Sequence, residues 1–230
     1  MTAPRHGSDP AARLREWYPC TLLLLGAAAD GAIERFGDTR AADWLSVVQA
    51  EIAMKQGLPE FTRDVAAYEA AVAALASNDG AGNDAVWFTR ENVGSPPPSL
   101  EAMPAVTPVV GRHVRVEHFA YNAPEIVAAI ENCDRLDEAG RPAPCTIMLM
   151  RAASGPGVRI FAISDGVEMV LGLSDGSNDC AAIVGWLRTR TQAQEGDGLE
   201  IQVWETLRTL RASGALVFHS PAAGIAAGER

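Results

Sequence analysis

The chain has 230 residues, enough to bury one large core or two small ones. Apolar residues make up 48% and charged residues 21%, the usual balance of a globular protein. A net charge of −10 argues against a broad phosphate-binding face, because affinity for nucleic acid rests on Lys and Arg.

The four cysteines, Cys20, Cys133, Cys145 and Cys180, lie far apart with no C-x-x-C pair. A chain of this size needs no disulfide staples, so free thiols in a reducing cytoplasm are expected. The longest apolar run, Tyr18 to Ala29, is too short to span a bilayer. It imitates a secretory segment ending in Ala27-Ala28-Ala29. Asp9 and Glu16 among its leading arginines, and Pro19, favour instead the first helix of a folded domain.

Residues 1–12, rich in Pro, Gly, Ser and Ala, are expected to form a disordered tail. A helical domain is expected over 13–85. Trp44, Val47, Val48 and Ile52 recur at helical spacing, as do Phe61, Val65, Tyr68 and Val72. Gly57-Leu58-Pro59 separates the two, since Pro59 can open a helix but not sit inside one. The turn formers from Asn78 to Asp84 are expected to end the helical region. Residues 86–108 then read as a Pro-rich connector, with Trp87-Phe88 as a short docking piece and Pro96-Pro97-Pro98 stiffening the rest.

Over 109–220 the period changes. Arg112 to Phe119 alternates as a strand, Ala123 to Asn132 reads as a short helix, and Cys145–Met150 and Val158–Ile163 read as two more strands. Ser154-Gly155-Pro156-Gly157 joins the last two as a hairpin. Three helices follow. The first opens at Asp165 with Glu168 as an acidic capping partner, the second buries Cys180, Ile183, Val184 and Leu187, and the third runs from Glu200 to Ala212. Leu216-Val217-Phe218 ends the domain, and 221–230 is a tail. The fold class is therefore α+β: an all-helical N-terminal domain, then a winged-helix-like domain with a three-stranded antiparallel sheet followed by three helices.

Little supports catalysis. His113 and His118 share the expected strand on opposite faces, and His113 and Glu117 lie about 13 Å apart, so neither pair holds one ion. His6 and His219 read as solvated, and Asp134, Asp137 and Glu138 as a solvated loop. No nucleophile elbow, P-loop, zinc-protease or dinucleotide motif occurs. Cys145 reads as a buried small hydrophobe. The most informative element is Val158–Ile163, apolar on both faces apart from Arg159. It is either a central strand covered on both sides, or an edge strand whose second face is covered when a ligand strand arrives.

Three features carry a resemblance: the hairpin ending in Ile163, the segment from Val170 to Gly176, and the closing Leu207-Arg208-Thr209-Leu210-Arg211-Ala212-Ser213-Gly214-Ala215-Leu216-Val217. With them, Arg112 to Phe218 resembles the peptide-recognition domain of ribosomally made natural-product pathways, related to the peptide chaperone of pyrroloquinoline quinone biosynthesis. Leu58 to Glu69, and Val114 to Tyr121 leading to a strand that ends in Arg151, resemble the partner proteins of multinuclear non-haem iron-dependent oxidases.

The resemblance implies an accessory subunit without its own cofactor, iron in a partner oxidase bound as a heterodimer, and a precursor-peptide leader as ligand. It places the leader between the third strand and the third helix. The implied site is Val158, Arg159, Ile160, Phe161 and Ala162, facing Trp204, Arg208 and Arg211 at i, i+4 and i+7 of the helix. Core packing for Trp204 and a solvated face for the arginines are the plainer alternatives. The rival reading is a winged-helix DNA-binding regulator. Against it stand the long segment Thr191–Leu199 and the acids Glu200 and Glu205 early in the helix that would read bases.

Overall fold

A computed structural model describes residues 9–26, 28–36, 44–155, 157–192 and 198–219. The fold is α+β. Internal contacts divide it into two compact units, Met1–Ala74 with Glu117–Cys145, and Leu75–Val116 with Thr146–Arg230.

The first unit is mostly helical: α1 (Pro10–Trp17), α2 (Pro19–Leu25), α3 (Ala28–Phe36), α4 (Trp44–Met54), most of α5 (Thr62–Ser77), and, numbered in chain order, α7 (Ala123–Glu131). Asp9 caps α1 by accepting from the Ala11 N–H at 3.0 Å, so helix begins inside the expected tail; residues 1–8 lie outside the described residues. Within the apolar run, Pro19–Leu25 is helix and Ala28 and Ala29 open another, so it is not the first helix of the unit, which is α1. Leu14, Tyr18, Leu22 and Leu25 are buried with Trp44, Val48 and Ile52.

Pro19 opens α2, and the next free donors are taken up by a buried carboxylate rather than by water. Glu69 accepts from the Cys20 N–H at 2.7 Å, the Thr21 N–H at 2.9 Å and the Thr21 hydroxyl at 2.6 Å. Burial raises its pKa against the opposing pull of these bonds. The two segments likened to oxidase partners meet in this unit. Asp64 accepts from the Tyr121 N–H, Glu60 from the Tyr121 hydroxyl, and Tyr68 lies edge-on to Phe119.

The second unit opens with a departure from expectation. Asn78 does not end the helical region; its side chain accepts from the Ala81 N–H at 3.2 Å and caps a new helix, α6 (Asp79–Gly94). Asn before Asp-Gly is as good an N-cap as a turn former, and Ala81, Ala85 and Phe88 supply a buried stripe at i, i+4 and i+7. Trp87 and Phe88 thus belong to a full helix, and the extended connector shrinks to the few residues after Gly94. A short 3-10 turn, Met103–Ala105, buries Met103 and leads into β1 (Thr107–Val110).

β1 pairs antiparallel with β5 (Leu216–His219), with Val109 opposite Val217. The expected apolar terminal segment is therefore a strand. The other sheet has the order β2-β3-β4, with β2 (Val114–Tyr121), β3 (Pro142–Arg151) and β4 (Val158–Ile163). β3 and β4 form an antiparallel hairpin.

Three helices follow: α8 (Asp165–Leu173), α9 (Cys180–Thr191) and α10 (Leu199–Ser213). Ser164, one residue before the expected start, caps α8, and Asp179 caps α9 by accepting from the Ala182 N–H at 2.7 Å. Met148 and Met150 of β3 pack with Val170, Ile183, Leu187 and Leu207 in this unit's core. Gly214, at φ 88°, adopts the left-handed turn that stops α10. The expected terminal tail lies outside the described residues.

His113 precedes β2 rather than sharing it with His118, and it is buried. Its Nε2 lies 2.9 Å from the Gly214 carbonyl, which can only accept, so Nε2 carries the proton. Nδ1 is left without a partner and faces Gly111, where a Cβ would come within 2.2 Å. Burial holds the pKa below the usual 6.5. The unfolded chain then binds more protons near that pH, so stability falls as pH is lowered through about 6.5. Urea melts between about pH 7.5 and 5.5 are expected to show a loss of stability in the wild type that is smaller in His113→Gln. An equal loss in that variant would place the titration elsewhere.

Candidate functional site

β4 pairs with β3 alone among the described residues, so it is an edge strand and not a central one. The hairpin geometry then assigns each of its backbone groups. The Ala152 N–H donates to the Gly157 carbonyl at 2.8 Å, and hydrogen-bonded pairs alternate along an antiparallel ladder. The registers Met150–Arg159, Met148–Phe161 and Thr146–Ile163 therefore bond inward. Val158, Ile160 and Ala162 turn their N–H and C=O groups away from the sheet.

Side chains alternate with the same period. Phe161 and Ile163 lie half-buried against the core of the helices, whereas Ile160 is 41% exposed and Ala162 is exposed. An edge strand carrying Ile160 on its open face and three free backbone positions is costly to leave uncovered.

Beside this edge runs a groove of about 480 Å³. One wall is Phe161, Ala162 and Ile163 of β4; the other is Gln202, Glu205, Thr206, Thr209 and Ser213 of α10. Met148, Val167 and Leu210 give it an apolar floor. The α10 wall recurs at i, i+3, i+4, i+7 and i+11, one helical stripe next to the buried line Val203, Leu207 and Leu210. Its short hydroxyl side chains are what leave the space open.

Arg159 does not line the groove but lies against two residues that do. Its Nη1 donates to the Ser213 carbonyl at 3.1 Å, and its guanidinium lies over the Phe161 ring, 4.9 Å from the centroid. One end of the groove is Ser164, whose hydroxyl accepts from the Val167 N–H at the start of α8.

The residues named from the sequence are divided by this groove. Phe161 and Ala162 line the groove, Arg159 contacts Phe161 and Ser213 from outside the lining, and Val158 and Ile160 belong to the open backbone edge. Trp204, Arg208 and Arg211 do not line it. Trp204 packs half-buried on the core, with Nε1 lacking a partner, and Arg208 is exposed on another face. Arg211 is buried, donating to the Asn92 and Ser95 carbonyls beneath Phe218. These three sit roughly 150° around the helix from the groove stripe, nearly on its opposite side. The run Gln202, Thr206, Thr209 and Ser213 was the available signal, because small polar residues flanking a core line mark a shallow face.

Three of the four thiols, Cys20, Cys145 and Cys180, are held away from the thiolate form. Burial pushes Cys20 and Cys180 up to about 12. Cys145 is half-buried rather than buried; its Sγ–H points at the Tyr121 carbonyl, 3.6 Å away, and burial raises its pKa as well. Among the described residues no group of three His, Cys, Asp or Glu is placed to hold a metal ion, and no helix is long and apolar enough to cross a membrane. In comparison with known proteins, the chain matches no protein-family model and no curated protein.

Proposed function

We propose that this chain is a non-catalytic subunit that binds the leader of a ribosomally made precursor peptide and presents it to an iron-dependent peptide-modifying oxidase. The observation that carries the reading is β4, an edge strand with three outward backbone positions beside an apolar groove on α10. A peptide laid along that edge gains main-chain bonds whatever its sequence, and every second side chain enters the groove. Such a site suits a leader, which must be held without being altered. The iron and the chemistry belong to the partner, and the resemblance of the Leu58–Glu69 and Val114–Tyr121 segments supports the pairing.

The DNA-binding alternative finds less support. α10 would be the helix that reads bases, and its first turns carry Glu200 and Glu205. Glu200 already holds Arg188 at 2.9 Å, removing one cation from the face that would meet phosphate. Residues 192–198 separate α9 from α10, against roughly three to four in the DNA-binding turn.

The test begins at the gene, beside which an oxidase gene and a short precursor reading frame are expected. Co-expressed, the two proteins are expected to co-elute in size-exclusion chromatography at micromolar concentration. The labelled N-terminal half of the precursor is expected to raise fluorescence polarisation with this chain alone. Separate elution with no polarisation change, and a salt-dependent gel shift on duplex DNA from its own upstream region, would favour the regulator instead.

A further inference from the structure

We infer that the peptide accepted by this groove carries a basic residue four positions before an acidic one, with an apolar residue midway. The inference rests on the reading of the groove as a peptide site and specifies its ligand. One charged side chain, Glu205, lines the groove, and a second of opposite sign, Arg159, lies against the lining residues Ser213 and Phe161. Arg159 holds the Ser213 carbonyl, and because it is exposed its remaining N–H donors are open to an anion on a peptide laid beside β4. Glu205, also exposed, is the only charged residue of the lining proper. Among the described residues no ion pair occupies either of them.

The Arg159–Ser213 bond pins the start of β4 to the end of α10. From that point the two elements run in opposite chain directions, and the far end gathers Ile163, Ser164, Gln202 and Glu205. Glu205 precedes Ser213 by eight residues of helix, an axial distance of about 12 Å. An extended strand advances about 6.7 Å for every two residues, so two same-face steps span the gap. Only even separations send both side chains into the groove; a spacing of three turns one of them out. Midway, the floor of Met148, Val167 and Leu210 accepts an apolar side chain.

The order of the charges follows from strand direction. The β3–β4 pair is antiparallel, and antiparallel pairing is the more stable per residue. A peptide antiparallel to β4 enters beside Ile163 and Glu205 and leaves beside Arg159. Its basic residue therefore comes first.

A selection from a phage-displayed library of random nonapeptides on the full chain tests this. The wild type is expected to enrich Lys or Arg four residues before Asp or Glu, with an apolar residue between. Glu205→Gln is expected to erase only the basic preference, and Arg159→Gln only the acidic one. Both positions are exposed, and circular dichroism with a thermal melt verifies that each variant keeps the fold. For one enriched peptide, each variant is expected to bind about threefold more weakly at low salt, the worth of one exposed ion pair. That difference is expected to vanish at about 1 M salt. Enriched peptides with no such spacing, or with the reverse order, overturn the charge register while leaving peptide binding in place. If no peptide is enriched, the groove is not a peptide site and both readings fall.

Discussion

Proline in place of Ile160 is expected to weaken leader binding about thirtyfold while leaving the fold of the chain intact. The two halves of that expectation come from the same ladder. Ile160 stands opposite Leu149 in a pair that makes no bonds between the strands, so its N–H points away from β3. Removing that donor takes nothing from the hairpin, and edge strands tolerate proline where the N–H faces solvent. The ring also occupies the line along which an arriving strand would bring its carbonyl. A central ladder bond lost in a partly desolvated groove is worth about 2 kcal/mol, hence the expected factor. Ile160→Thr keeps the N–H and a β-branched side chain, and is expected to bind within about twofold of wild type. Denaturation curves for all three proteins should coincide within about 0.5 kcal/mol. Unchanged polarisation titrations with the proline variant would mean that the peptide does not add to this edge.

That prediction draws on information the sequence held only in part. The apolar character of Val158–Ile163 marks it as a strand and leaves its place in the sheet open, because a central strand and a ligand-covered edge have the same composition. Edge status comes from topology: β4 follows β3 in a hairpin, and among the described residues no later strand returns to its free side. Elsewhere, period was enough. The helices led by Phe61, Cys180 and Val203 were legible because their buried residues recur at three and four, and the Ser154–Gly157 turn marked its hairpin.

Misreadings arose where one residue type serves two geometries. Asn78-Asp79-Gly80 fits a turn and an N-cap equally well, and only the stripe of Ala81, Ala85 and Phe88 decides for helix. Pro108 argued for a connector, yet proline is compatible with the first residues of a strand in a two-stranded sheet. On α10 the residues named from the sequence and those lining the groove differ by a rotation about the helix. Trp204, Arg208 and Arg211 are the large residues of the helix and attract a binding assignment, whereas the groove exists where the side chains are short. Large residues fill space; a site for another chain needs space left over.

The rotation has a consequence that separates a binding role for Arg211 from a structural one. Arg211→Met is expected to lower stability by about 2 kcal/mol, or roughly 4–8 °C in Tm, with leader affinity per folded molecule unchanged. The guanidinium donates to the Asn92 carbonyl at 3.2 Å and to the Ser95 carbonyl, at and just beyond the last turn of α6. There it meets the negative end of that helix as well as two acceptors. Asn92 answers by donating to the Arg211 carbonyl at 2.9 Å and the Leu216 carbonyl at 3.0 Å, so α6, α10 and β5 are tied by one reciprocal set of bonds. Methionine fills much of the same volume but supplies no donor. Lysine keeps the charge and loses the planar fork that reaches two carbonyls beneath Phe218, so Arg211→Lys is expected to recover less than half the loss. Arg208→Glu, three residues before on an exposed face, is expected to change neither stability nor affinity by a measurable amount. If Arg211→Met instead melts like wild type and loses leader affinity, the side chain leaves α6 in solution and joins the groove, and the wall of the peptide site has to be redrawn around it.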